Sequence, residues 1–197
     1  MINIRLLSCL VLILNLISCS AGNVASTVFR DGFDFSRVES YSTYGRNSAF
    51  GDVQNINDST RNTIELAIEQ GFDQSGLHYK IVKNADIVIA YYLLSHNFSE
   101  LNKYNQQVKY CGYCLNAGNS TRVELEKNLR PGSLILDIID PKSQRSVWRS
   151  VYPLKFKDKD NSREMQEKIT QAVDNMLRDY PRGINTSAIS RFNGDMA

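Results

Sequence analysis

Two cysteines separated by two residues, Cys111 and Cys114, form the sharpest chemical motif in this sequence. In thiol–disulfide oxidoreductases a pair at this spacing reacts because the first thiolate lies at a helix N-terminus, which lowers its pKa. Here residues 115–119 are a poor helix start, and residues 105–110 do not resemble a buried strand. We predict a structural disulfide or two free thiols. The alternative is a periplasmic oxidoreductase in which Cys111 is the nucleophile and Cys114 the resolving thiol.

Two histidines could bind a metal together with these thiols. His78 and His96 would complete a tetrahedral set of two cysteines and two histidines, as in structural zinc sites. Their spacings along the chain are irregular, however. A c-type haem would also require a histidine at the position of Leu115, directly after the second cysteine. We therefore predict no metal site and no other cofactor.

Two neighbouring carboxylates, Asp137 and Asp140, could act as the acid–base pair of a hydrolase. Their positions before the turn at Pro141 favour a simpler role, because short acidic side chains accept hydrogen bonds at strand ends and in turns. The sequence contains no glycine-rich phosphate loop, no Gly-x-Ser-x-Gly motif and no His-Glu-x-x-His motif. These observations predict a protein that is not an enzyme.

Aromatic residues supply a candidate surface for a partner. The candidates are Tyr104, Tyr110 and Tyr113 in a segment of irregular sequence, and Trp148 and Tyr152 on one face of a predicted strand. Tyrosine provides a large contact area at a low cost in conformational entropy. The alternatives are that the three tyrosines cover the edge of the sheet and that the strand face is a second packing surface.

The N-terminus resembles a bacterial lipoprotein signal. A single positive charge at Arg5 precedes an apolar stretch, and Leu16-Ile17-Ser18-Cys19 matches the lipobox at every position. We predict cleavage after residue 18 and lipidation of Cys19 with fatty acyl chains such as palmitate. Ser20, the residue after the cysteine, resembles the residue found at this position in lipoproteins that are carried to the outer membrane. The alternative is an ordinary secretory peptide with an incidental cysteine.

Composition limits the partners. The 197 residues include 23 Lys and Arg against 21 Asp and Glu, and neither sign is gathered into a long block. Nucleic-acid binding therefore lacks an electrostatic basis, and we predict no nucleic-acid partner. The expected partners are the membrane, through the lipid on Cys19, and another envelope protein.

The pattern of apolar residues predicts an α+β fold. We expect a two-layer domain with a mostly antiparallel sheet and two helices packed on one face. The predicted strands are 85–94, 133–140 and 146–153, and the predicted helices lie near 60–71 and 162–179. Residues 95–121 are expected to form a long irregular excursion. The predicted organisation is a signal peptide (1–18), a tether (19–27), a single domain (28–181) and a flexible tail (182–197).

Several segments resemble a bacterial lipoprotein family, domain-of-unknown-function family 4136. The matching segments are Asp34-Phe35-Ser36 with Thr43-Tyr44, Gly71-Phe72, Ala85 to Tyr91, Gly132 to Lys142, Val147-Trp148-Arg149, and Ala172-Val173 with Met176-Leu177. The resemblance covers residues 29–181 and implies an envelope location and this fold, without implying a chemistry. The expected function is that of an outer-membrane-anchored periplasmic lipoprotein that acts as a non-enzymatic binding or envelope-assembly module.

Overall fold

The computed structural model describes residues 23–44, 56–115, 122–156 and 160–181. The strands within these ranges are β1 (Ser26–Phe29), β2 (Ser40–Thr43), β3 (His78–Tyr79), β4 (Ile87–Leu93), β5 (Ser133–Asp140) and β6 (Arg145–Pro153). The α-helices within them are α1 (Asp58–Gln74), α2 (Phe98–Gln107), α3 (Arg122–Asn128) and α4 (Ser162–Arg178). The predicted long strands and both predicted helices are confirmed, with their ends shifted by three residues or fewer.

All six strands form one sheet in the order β1-β6-β5-β4-β2-β3. The pairs β1–β6, β5–β6 and β4–β5 are antiparallel, whereas β2–β4 and β2–β3 are parallel. The parallel pairs arise because α1 lies between β2 and the next two strands, and a crossover helix returns the chain to the same end of the sheet. The α+β class is confirmed, but the sheet is mixed, and the description "mostly antiparallel" does not fit the half formed by β2, β3 and β4.

The two long helices, α1 and α4, pack on one face of the sheet, as predicted. Asn57 and Asn161 cap their N-termini, and Asn161 forms with Glu164 the reciprocal capping box that the sequence indicates. The buried apolar residues that the helices contribute are Ile64, Ala67, Ile68, Phe72, Ile169, Ala172, Val173 and Met176. The helices approach closely at Gly71, where a Cβ atom would lie only 2.5 Å from Leu177 Cδ1.

A second helical layer covers the opposite face of the sheet. Residues 98–107, which were expected to be irregular, form α2, whose Leu101 and Tyr104 lie on one helical face with Val108 just beyond it. Leu125 of α3 joins them in a separate apolar cluster with strand residues such as Val151. The prediction of two layers and two helices is therefore corrected, because the described residues form three layers with four α-helices.

The hairpin of β5 and β6 contains one irregularity that orders the second layer. Ile139 pairs with Ser146, but the preceding Ile138 pairs with Trp148. The extra residue, Val147, is a β-bulge, which shifts the register of the pair by one residue. The bulge thereby brings Ser146, which precedes it, and Arg149, which follows it, to the same face of the sheet, where both contact Asp137.

The folded domain begins earlier in the chain than expected. Ala25 is buried, and Ser26–Phe29 form the edge strand β1, so residues 25–27 belong to the domain and not to the predicted tether. The predicted signal peptide 1–18, the lipidation site Cys19 and the tail 182–197 lie outside the described residues. Among the helices that the structure describes, none combines the length and apolar character required to cross a bilayer.

Candidate functional site

Strand β6 defines two ends of the sheet, which we call the Arg145 end and the Pro153 end. The strand has nine residues, so at about 3.3 Å per residue these ends lie about 25 Å apart. Because β1 is antiparallel to β6, the chain enters the domain at the Pro153 end, where Asn23 Nδ2 donates a hydrogen bond to the Pro153 carbonyl. Helix α2 ends at the Arg145 end, where the Ser146 N–H donates to the Val108 carbonyl over 2.8 Å.

A buried ion pair lies between the sheet and α2. The shifted register places Asp137 of β5 opposite Arg149 of β6, and their side chains are 0% and 1% exposed. Arg149 Nε and Nη2 donate hydrogen bonds of 2.8 to 3.1 Å to the two carboxylate oxygens. The hydroxyls of Ser146 and Tyr104 donate further bonds of 2.6 and 2.8 Å to the carboxylate. The carboxylate of Asp137 thus accepts hydrogen bonds from four donor groups, two of which belong to a cation, as deep burial requires.

Tyr110 covers the guanidinium group of this pair. Arg149 Cζ lies 3.5 Å from the centroid of the Tyr110 ring, in cation–π contact. Burial raises the pKa of Tyr110, whereas the positive charge of Arg149 acts in the opposite direction. Burial, followed by the negative charge of Asp137, raises the pKa of Tyr104 well above its ordinary value. Burial acts to lower the pKa of Arg149, but Asp137 outweighs it and the pKa is raised. The tyrosines are therefore neutral and the arginine is charged.

Cys111 and Cys114 are joined by a disulfide across a tight turn, in which the Cys114 N–H donates to the Cys111 carbonyl over 2.9 Å. This pairing agrees with the predicted disulfide. Cys111 is partly buried and Cys114 is exposed. The turn follows the C-terminal end of α2, so Cys111 does not begin a helix, which is the arrangement that lowers a thiolate pKa in oxidoreductases.

The tip of this turn presents Tyr113 to solvent, with 83% of the residue exposed. Arg122, the first residue of α3, contacts the tip in two ways. Its Nη2 donates a hydrogen bond of 3.0 Å to the Gly112 carbonyl, and its Cζ lies 3.9 Å from the centroid of the Tyr113 ring. Tyr113 is therefore an exposed aromatic side chain whose ring already has a cationic neighbour, which suits it to recognition.

A surface cleft of about 500 Å³ lies beside the disulfide turn at the Arg145 end. The lining side chains are the amides of Asn102, Asn105 and Gln106, the cations of Lys109 and Arg145, and the side chains of Tyr110 and Cys111. No carboxylate is among these seven residues. The cleft is polar and positively charged, and its volume lies within the range of small-molecule sites.

The structure corrects the predicted aromatic surface. Tyr104 and Trp148 are 0% exposed and Tyr152 is 7% exposed. Trp148 and Tyr152 face the long helices, whereas Tyr104 packs on the opposite face of the sheet and not at its edge. Tyr110 is partly buried against Arg149. Of the five aromatic residues, Tyr113 alone remains largely exposed.

The other predicted candidates have structural roles or no shared site. The Asp140 carboxylate accepts hydrogen bonds from the backbone N–H groups of Lys142 and Ser143, at 3.0 and 3.2 Å, whereas Asp137 belongs to the buried ion pair. The two carboxylates therefore do not act together. Within the described ranges, no group of three or more histidine, cysteine or acidic residues is arranged to hold a metal.

The sequence reasoning did not identify the cleft or the role of Arg149. A signal for the cleft was present, because the polar positions 102, 105, 106 and 109 recur at helical spacing, beside the apolar face of Leu101 and Tyr104. The signal for the ion pair was weaker. An arginine and an aspartate in two apolar strands indicate a buried pair only once the register of those strands is known.

The fold of this chain is similar to that of several solved structures. A DUF4136 family protein from Bacteroides thetaiotaomicron VPI-5482 is 14% identical, with a TM-score of 0.53, and the match covers 81% of this chain and 96% of that one. A PDZ domain protein from Parabacteroides distasonis ATCC 8503 is 17% identical, with a TM-score of 0.47 and coverage of 81% and 35%. The PelC dodecamer from Paraburkholderia phytofirmans is 9% identical, with a TM-score of 0.40 and coverage of 82% and 99%. No curated protein matches this chain.

The family model described as "Domain of unknown function (DUF4136)" matches residues 25–182. These limits agree with the folded domain, which begins at the buried Ala25 and includes α4. The match covers most of the chain and includes every strand and helix described above. The resemblance to this family that the sequence segments indicate is thereby confirmed, and the chain belongs to the DUF4136 family.

Proposed function

We propose that this protein is a lipid-anchored protein of the bacterial outer membrane, without catalytic activity, which binds another envelope component through the Arg145 end of its domain. The observation that carries the proposal is the separation of the two ends of the sheet. The chain enters the domain at the Pro153 end, next to Asn23. A lipid on Cys19, four residues earlier in the sequence, would hold the Pro153 end at the membrane and direct the Arg145 end into the periplasm.

The Arg145 end has the features of a recognition surface. It carries an exposed tyrosine, Tyr113, that contacts Arg122, and a polar cleft lined by residues of α2 and β6. Aromatic residues and arginines are enriched in protein interfaces, where they bury large areas with few rotatable bonds. The disulfide shortens the free segment that carries Tyr113, which reduces the entropy lost on binding.

A thiol–disulfide oxidoreductase is the second candidate. One observation favours it, since Cys111 lines the cleft that also contains Lys109 and Arg145, and nearby cations stabilise a thiolate. The absence of a helix that starts at Cys111 weighs against it. A Cys114→Ser variant that accumulates mixed disulfides with cellular proteins, or insulin reduction by the purified protein, would establish this activity in place of pure binding.

Lipidation is tested by metabolic labelling with an alkyne fatty acid. We expect the label on the wild-type chain and none on a Cys19→Ala variant. Equal labelling of the two would refute the anchor. Separation of inner and outer membranes on a density gradient then determines which membrane holds the labelled protein.

Binding is tested by cross-linking in living cells. A photo-reactive phenylalanine derivative is introduced at Tyr113, and in a control variant at Phe98, an aromatic residue that is 51% exposed at the opposite end of α2. We expect a reproducible cross-linked partner from position 113 and none from position 98. Equal capture from both positions, or none from position 113, would contradict the proposed recognition surface.

A further inference from the structure

We propose that the cleft at the Arg145 end binds an anionic sugar, that is, a ring with several hydroxyls that also carries a carboxylate or a phosphate. The proposal rests on the binding function above and names the class of ligand. It follows from three properties of the cleft: its charge, its amide lining and its rigid floor. Each of these is set by residues whose positions the fold determines.

The charge of the cleft is positive, and its two cations form no ion pair within the described residues, although Asp140 pairs with Arg145 across the hairpin. Lys109 Nζ donates a hydrogen bond of 3.1 Å to the neutral side chain of Gln144. Neither Lys109 nor Arg145 forms an ion pair with a carboxylate in the part of the chain that the structure describes. The C-terminus of α2 contributes about half a negative charge, which two full cations exceed. Its last carbonyls are also occupied, since the Tyr110 N–H donates to the Asn105 carbonyl over 2.9 Å.

The amide lining suits hydroxyl groups. Asn102, Asn105 and Gln106 lie three and four residues apart, so their side chains leave the same face of α2. Each amide offers one acceptor and two donors, and a vicinal pair of hydroxyls can use both kinds at once. Asn105 Oδ1 is buried and accepts no hydrogen bond from the described residues. A ligand hydroxyl can donate to this oxygen only after the amide turns towards the cleft, and that bond would then satisfy an acceptor that is otherwise unpaired.

The floor of the cleft is fixed before any ligand arrives. Tyr110 is held on one side by the guanidinium of Arg149, which is itself bound to Asp137. Gly112 also lies close to the Tyr110 ring, within the turn that the disulfide closes. A preorganised site loses less entropy when it binds.

The test uses isothermal titration calorimetry on the full-length chain at low ionic strength, because salt screens such exposed charges. The probes are digalacturonate, glucose 6-phosphate, neutral maltose and inorganic phosphate. The variants are Arg145→Gln, Lys109→Asn and Asn105→Leu. Asn suits position 109 because its φ is +46°. Lys103→Gln is the matched control, since Lys103 is exposed on α2 but does not line the cleft.

We expect digalacturonate or glucose 6-phosphate to bind at least about tenfold more tightly than maltose and inorganic phosphate. Loss of either cation should weaken binding about tenfold, the usual effect of one charged hydrogen bond. Asn105→Leu should weaken sugar binding, and Lys103→Gln should leave it unchanged. Which acidic probe binds identifies the anion as a carboxylate or a phosphate.

The proposal is overturned if no acidic sugar binds, if maltose binds equally well, or if inorganic phosphate alone binds as tightly as the sugars. It is also overturned if the cation variants bind as the wild type does while retaining its circular dichroism spectrum. In all these cases a partner cross-linked from position 113 would still support the proposed function, so the two failures are distinguishable.

Discussion

Replacing Asp137 by leucine should strongly destabilise the domain. The substitution leaves Arg149, which is 1% exposed, without a counter-charge, and an arginine does not lose its proton inside a protein. Breaking a buried pair in this way costs about 3–5 kcal/mol, out of a total stability of about 5–15 kcal/mol. For a domain of this length each kcal/mol lowers Tm by about 2–4 °C, so we expect Tm to fall by about 6–20 °C.

The reciprocal variant, Arg149→Met, should behave differently with pH. Asp137 then keeps the hydroxyls of Ser146 and Tyr104 but loses its cation. A buried carboxylate without a cation is destabilised in its charged form, and this penalty is removed when the carboxyl takes up a proton. The stability lost by Arg149→Met should therefore be partly recovered as pH falls. The loss in Asp137→Leu should not change with pH, because Arg149 remains charged throughout.

Urea unfolding followed by circular dichroism between pH 5 and 8 measures both effects. The double variant Asp137→Leu/Arg149→Met contains no buried charge, so its loss should be smaller than the sum of the two single losses. The double variant should still be less stable than the wild type, because the hydroxyls of Ser146 and Tyr104 lose their hydrogen-bond acceptor. A cost below about 1 kcal/mol for Asp137→Leu, strictly additive losses, or an Arg149→Met loss that does not change with pH would refute this account of the pair.

Three further results are expected. Asp86→Asn should destabilise the fold at neutral pH, and the effect should shrink as pH falls through the folded pKa of Asp86. A hydroxyl hydrogen bond from the first residue of β2 lowers that pKa below its ordinary 3.8, so the stabilisation is complete above the ordinary value and is lost below the folded one. Unfolding curves at pH 7 and at a series of acidic pH values check it. Gly132→Ala should cost about 1 kcal/mol in thermal melts, because a side chain is strained at φ +82°. The control Gly32→Ala should be neutral in the same melts, because Gly32 has no positive φ and no heavy atom lies within 4 Å of the added Cβ. Replacing Cys111 and Cys114 by serine should cost less than about 2 kcal/mol, since the closed loop is short. Thiol titration of the unfolded, unreduced proteins should find as many free thiols in the wild type as in the Cys111→Ser/Cys114→Ser variant, because only Cys9 and Cys19 could then contribute. Two additional thiols in the wild type would contradict the bond.

Local signals account for the parts of the fold that the sequence predicted well. The turn at Asp140-Pro141 joins β5 and β6 as expected, because the turn residues form their hydrogen bonds without help from the rest of the chain. The capping box of Asn161 and Glu164 begins α4 for the same reason. Helix α2 was missed although Leu101 and Tyr104 are three residues apart, because its asparagines and serine have modest helix propensity, and burial against the sheet stabilises it.

The ion pair could not be predicted from local signals, because it depends on the bulge at Val147. A regular hairpin that begins with Asp140 opposite Arg145 would place Asp137 opposite Trp148. The bulge shifts the pairing by one residue and brings Arg149 opposite Asp137 instead. Its position is decided by how both faces of the sheet pack, since a shift of one residue exchanges the two faces. Only the assembled three-layer structure contains that information.

The sheet divides the apolar core into two parts of unequal size, so the two helical layers should not open together. The large part unites the long helices with the sheet, whereas α2 and α3 bury only Leu101, Tyr104 and Leu125 among their own residues. Opening of this small layer would also return Asp137 and Arg149 to water. The hydration of these two charges would offset part of the free-energy cost of opening. Amide hydrogens of α2 should therefore exchange with solvent faster than those of β5 and β6. A ligand seated on α2 would slow that exchange without changing the structure.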